Sequence, residues 1–70
     1  MKFEITIYNQ EVRDLLAANR KHDFLNDVWA ERNYVEIEAS NMDEAKKTAN
    51  RRYPENQGYV VLEVIQTSEF

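Results

Sequence analysis

The 70-residue chain has one histidine, two serines and no cysteine with which to make a nucleophile or a base. His22 stands in Arg20-Lys21-His22-Asp23. Histidine is the residue type that changes charge near neutral pH, so with Asp23 or Asp27 beside it His22 has the makings of a general base. That role needs a concave pocket joining His22 to a second titratable group; a solvated loop histidine is the plainer reading. Ser40 precedes a helix and Ser68 lies in the tail, and neither sits in a nucleophile elbow. No catalytic residue is assigned.

Carboxylates are more numerous. Glu36 and Glu38 are two apart on an expected strand and share one side of it, where Glu4 and Glu63 can join them across a sheet. Four carboxylates on one face suit a divalent cation, a basic partner or simply water. No calcium loop, metal-binding helix pair or phosphate-cradling glycine loop occurs, and Gly58 is the single glycine. Neither a cofactor nor a structural metal is expected, and no small-molecule substrate is evident.

The same face is expected to carry Tyr8, Tyr34, Tyr59, Val61 and Ile65, with Val60, Leu62 and Val64 turned inward. A last strand apolar on both sides fits a covered face or a central position. Phe70 or a loop can fold over that face; otherwise it binds a partner or a second copy. The expected partner-binding residues are Tyr8, Tyr34, Glu36, Glu38, Tyr59, Val61 and Ile65.

Aromatic residues on an open sheet also occur in single-strand RNA binders, but there they stand beside positive charge, and here the neighbours are glutamates. Basic residues collect elsewhere, as Lys46, Lys47, Arg51 and Arg52, with Arg20 and Lys21 in a polar break. They suit a solvated helix face or, alternatively, contact with a nucleic-acid backbone. The net charge of −4 and pI near 4.9 disfavour general attraction to nucleic acid or anionic lipid.

Local patterns place these groups on elements. Phe3, Ile5 and Ile7 alternate with Glu4 and Thr6, which predicts a strand over Lys2 to Tyr8. Asn9 can cap a following helix whose apolar stripe is Val12, Leu15 and Leu16, with Glu11 in its first turn. The stripe lapses at residues 19–22 and resumes with Phe24, Leu25, Val28 and Trp29. This predicts a second helical piece capped by Asp23, or else one kinked helix to about Arg32. Val35, Ile37 and Ala39 alternate with Tyr34, Glu36 and Glu38 in a second strand. Asn41 and Glu44 have capping-box spacing before a helix lined by Ala45, Ala49 and Tyr53, with Asp43 and Lys47 placed to pair. Pro54 stops that helix and Gly58 supplies a turn into the strand Tyr59 to Ile65, leaving Thr67 to Phe70 as a frayed end.

The whole reads as one α+β domain over residues 1–70, a two-layer sandwich in the order β-α-α-β-α-β. Helices pack on one face of a three-stranded mixed sheet, with the first strand able to lie between the other two, antiparallel to them. A domain of this size buries only about 60% of its unfolded surface, so its stability is marginal and dimerisation would help it. About twenty apolar side chains are available for the core, each worth ~1.5 to 3 kcal/mol when fully buried. Without cysteine, and with one histidine, the chain folds by packing alone. No signal peptide or membrane-length apolar run is evident, which with the lack of cysteine points to a cytoplasmic protein.

The run Ala39-Ser40, Glu44-Ala45, Ala49, Tyr53-Pro54 and Val60-Val61-Leu62-Glu63-Val64 resembles the strand, helix and strand module of short α+β proteins of phages and their bacterial hosts. It covers about half the chain and implies no activity. The functional expectation is a small non-enzymatic module that binds a protein or itself through the tyrosine-rich face or an open strand edge.

Overall fold

The computed structural model describes residues 1–67. It contains β1 (Lys2–Asn9), α1 (Gln10–Ala17), a 3-10 turn (Asp27–Ala30), β2 (Asn33–Glu38), α2 (Met42–Arg52), a second 3-10 turn (Glu55–Gln57) and β3 (Tyr59–Gln66). The sheet order is β2-β1-β3, and β1 is antiparallel to both neighbours. β1 is therefore central, as expected. The sheet is not mixed: β2 and β3 run the same way but never pair, because β1 separates them.

Alternation in β1 turns Phe3, Ile5 and Ile7 to one side, where Ile37, Ala45 and Ala49 complete the enclosed core. The alanines of α2 have no bulk to hold the helix off the sheet, and its exposed face carries the charges. At 17 Å the shortest dimension has room for the sheet and one helix layer ~10 Å away. Among the described residues nothing covers the sheet face opposite α2. The enclosed hydrophobic set among the described residues is Phe3, Ile5, Ile7, Val12, Ile37, Ala45 and Ala49. This is far smaller than the twenty or so apolar side chains expected from composition, because a single helix layer can cover only one side of each strand.

Side-chain caps define the helix starts. Asn9 Oδ1 accepts from the Val12 amide at 3.1 Å and Asn41 Oδ1 from the Glu44 amide at 2.9 Å. The expected reciprocal box is one-sided, since the Glu44 carboxylate reaches forward to Lys47 Nζ at 3.7 Å. Lys47 thus pairs with Glu44 and not with Asp43. At the end of α1, Asn19 takes φ 58° while the Asn19 and Arg20 amides donate to the Leu16 and Leu15 carbonyls at 3.0 and 2.7 Å. This 6→1 and 5→2 pair satisfies carbonyls that the helix end would leave free, and asparagine tolerates the left-handed conformation that it requires.

The expected second helical piece is not an α-helix. Residues 27–30 form a single 3-10 turn capped by Asn26, whose Oδ1 accepts from the Val28 amide at 3.1 Å, so Asp23 is not its cap. Phe24 is 91% exposed. With Phe24 and Val28 left exposed the stripe buries too little to sustain a helix, since short helices depend on tertiary burial.

Asn9 also donates through Nδ2 to the Gln57 carbonyl at 3.0 Å, and the Gln10 amide donates to the Gly58 carbonyl at 2.7 Å. These bonds tie the start of α1 to the turn before β3. Gly58 has φ 92°, and a Cβ there would lie 2.7 Å from Asn9 Oδ1. Conformation and space both demand glycine at this position. Thr67 is held by its amide on the Lys2 carbonyl at 2.9 Å. The rest of the expected frayed end, with Ser68 and the covering role of Phe70, lies outside the described residues.

Candidate functional site

The open face is built from alternate residues of all three strands. Glu4 lies opposite Glu36 of β2 and Ile65 of β3; Thr6 lies between Tyr34 and Glu63; Lys2 faces Glu38 and Tyr8 faces Val60. Side chains directly opposite on one face have Cβ atoms about 5 Å apart, where like charges cost stability. Glu4 and Glu36 stand in that relation. Lys2 Nζ, 3.7 Å from Glu36 Oε1, relieves it in part, and the N-terminal ammonium lies 3.9 Å from Glu38 Oε1. Beside these carboxylates Tyr34 is 64% exposed and Ile65 40% exposed.

Tyr8 is on this face but already engaged. The Arg13 guanidinium carbon lies 3.7 Å from its ring centroid, and its hydroxyl donates to Gln10 Oε1 at 3.0 Å. Arg13 Nε in turn donates to the Ala30 carbonyl at 2.9 Å, so the stack joins β1, α1 and the first 3-10 turn. Nothing in the sequence marks Arg13 for this role.

Tyr59 and Val61 are not on the open face. The pairing of β1 with β3 shifts between Thr6, opposite Glu63, and Ile7, opposite Val61, leaving Leu62 as an extra residue. An inserted residue reverses which side its neighbours face. Beyond the bulge Val61 packs on the core and Tyr59 meets Trp29 and Tyr53, while Val60, expected inside, turns to the open face. Val64 and Ile65, on the near side of the bulge, keep their expected sides.

The Trp29, Tyr53 and Tyr59 rings have centroids 5.3 to 5.9 Å apart, in tilted and edge contacts. They form a small apolar extension of the core. Burial, and secondly the neighbouring Tyr53, raise the Tyr59 hydroxyl above its ordinary value of 10.0. Since the folded value exceeds the unfolded one, the neutral hydroxyl's contribution is complete below about pH 10 and is lost as pH rises through the folded value. Urea midpoints read by Trp29 fluorescence are therefore expected to fall as pH rises above about 10 and to level off once the folded value is passed. Tyr59→Phe should flatten the fall; an equally steep decline in the variant would assign it to other groups.

At the end of the molecule, an open cavity of about 540 Å³ brings His22 together with Glu11, Asp23 and Tyr59. The pocket needed for a histidine base is thus present. The ring is also committed to local structure: Nδ1 accepts from the Phe24 and Leu25 amides at 3.1 and 3.0 Å, which places its proton on Nε2. Asp27 lies in the 3-10 turn and does not line the cavity.

Lys46, Lys47, Arg51 and Arg52 are exposed on α2, as expected. Arg51 and Arg52 occupy the last turn, where positive charge also suits the helix dipole. Ser40 precedes the Asn41 cap. Among the described residues no group of three or more His, Cys, Asp or Glu is placed to hold a metal ion. No described helix is long and apolar enough to cross a membrane. Protein-family models, curated proteins and solved structures yield no match to the chain.

Proposed function

We propose that the protein is a non-enzymatic interaction module whose open sheet face docks a basic segment of a protein partner. The observation that carries this reading is the uncovered face itself, where Glu4, Glu36, Glu38 and Glu63 surround exposed Tyr34 and Ile65. Folding gains nothing from opposing Glu4 to Glu36, whereas a lysine or arginine laid between them would neutralise both. Tyr34 and Ile65 supply the apolar contact that charges alone lack, and exposed tyrosine is a common anchor of such contacts. Tyr8, stacked under Arg13, braces the end of this face, and Tyr59 and Val61 support it from behind.

A peptide alternating arginine with leucine, followed by amide shifts on the labelled protein, tests the reading. The expected perturbations centre on Glu4, Tyr34, Glu36, Glu63 and Ile65, weaken with added salt, and vanish in the Tyr34→Ser/Glu36→Lys double variant. Shifts confined to α2 or the His22 cavity, or equal binding by the double variant, would overturn it.

The second reading is nucleic-acid contact through Lys46, Lys47, Arg51 and Arg52, favoured by their exposure on one helix. Anisotropy of labelled single and double strands at low salt should then show binding that falls steeply with salt. Absence of binding removes this alternative.

A further inference from the structure

We propose that the free edge of β3 pairs antiparallel with the same edge of a second copy of this chain, joining two three-stranded sheets into one of six strands. This interface is distinct from the open face.

β3 reads Tyr-Val-Val-Leu-Glu-Val-Ile-Gln, apolar on both sides and with Glu63 as its single charge, yet it lies at the edge of the sheet. Strands of that composition belong in sheet interiors, and an apolar edge is a template for another strand. The opposite edge differs. β2 presents Tyr34, Glu36 and Glu38 as exposed residues, and two copies paired there would bring glutamates together. The two edges thus direct self-association to β3.

Beside that edge, α2 and β3 enclose an open groove of about 290 Å³, lined by Lys46, Ala49, Asn50, Val61, Leu62 and Glu63 among others. The bulge leaves Leu62 without a partner on β1, and it is 46% exposed at the middle of the strand. A two-fold axis through the middle of β3 brings the two exposed Leu62 side chains together. Identical side chains meeting on the axis satisfy the reciprocity of a two-fold interface. The enclosed core of each copy is small, and pairing would withdraw apolar β3 surface from water.

Sedimentation equilibrium of the intact chain, from low micromolar to near-millimolar concentration, provides the test. The expected result is a reversible monomer–dimer equilibrium whose dissociation constant rises roughly tenfold or more in Leu62→Lys and is unchanged in Tyr34→Ser. Leu62→Ser, which adds no charge, should also weaken the dimer, so the assignment stays testable even if Leu62→Lys unfolds. A monomer at every concentration, or a dimer indifferent to both Leu62 variants, would overturn the proposal.

Discussion

Asn9→Ala is expected to lower stability by about 2 to 4 kcal/mol, a large share of what a chain of this length has. A helix cap contributes ~1 kcal/mol, and losing the part-buried bond to the Gln57 carbonyl together with side-chain volume at a fully enclosed site costs ~1 to 3 kcal/mol more. Asn9 is fully buried and meets both demands, accepting from the Val12 amide and donating to the Gln57 carbonyl. With total stability on the order of 4 to 10 kcal/mol for 70 residues, the melting temperature should fall by roughly 10 to 25 °C. Asn9→Ser keeps a short acceptor for the cap and should lose less. A change below about 1 kcal/mol in thermal or urea unfolding would mean that water replaces both bonds at little cost. Gly58→Ala strikes the same oxygen, so its effect and that of Asn9→Ala should combine to less than their sum.

The second large effect is expected at Ile5, the middle of the central strand. Its partners are Val35 and Val64, and it is fully enclosed. Truncating a buried isoleucine to alanine costs ~2 to 5 kcal/mol, the upper end applying where neighbours cannot close the cavity. β1 is hydrogen-bonded on both sides and cannot shift inward easily, so Ile5→Ala should approach that upper end. Urea denaturation followed by Trp29 fluorescence should give a much earlier midpoint or no cooperative transition. Ile65→Ala, on the open face, should cost under about 1 kcal/mol. If the two variants unfold alike, the assignment of inside and outside faces is wrong.

Binding and stability are separable by these substitutions. Asn9 and Ile5 lie behind or beside the sheet face proposed to meet a basic segment, whereas Tyr34, Glu36 and Ile65 form it. The first pair should affect binding only by unfolding the chain. Changes at Tyr34 and Glu36 should remove binding while leaving the folded state intact.

Much of the local structure was legible in the residues. The alternation of Phe3, Ile5 and Ile7 marks β1, Asn9 and Asn41 mark helix starts, and Pro54 with Gly58 marks the turn into β3. Each signal acts within a few residues, through side-chain periodicity, a cap hydrogen bond or a restricted backbone angle. The position of Glu4, Glu36 and Glu38 on one face followed from the same periodicity, and so did the basic face of α2. Other features carried no usable local signal. The apolar spacing of Phe24, Leu25, Val28 and Trp29 suits a helix, but only the tertiary arrangement shows that Phe24 and Val28 stay exposed.

By itself the sequence determined where strands and helices begin, which charges each presents, and that folding proceeds without disulfide bonds. The tertiary structure alone decided that Tyr59 and Val61 face the core. The physical reason is parity. Sidedness along a strand alternates residue by residue, and a single bulge at Leu62, set by how β3 fits against β1, reverses it for everything before that point.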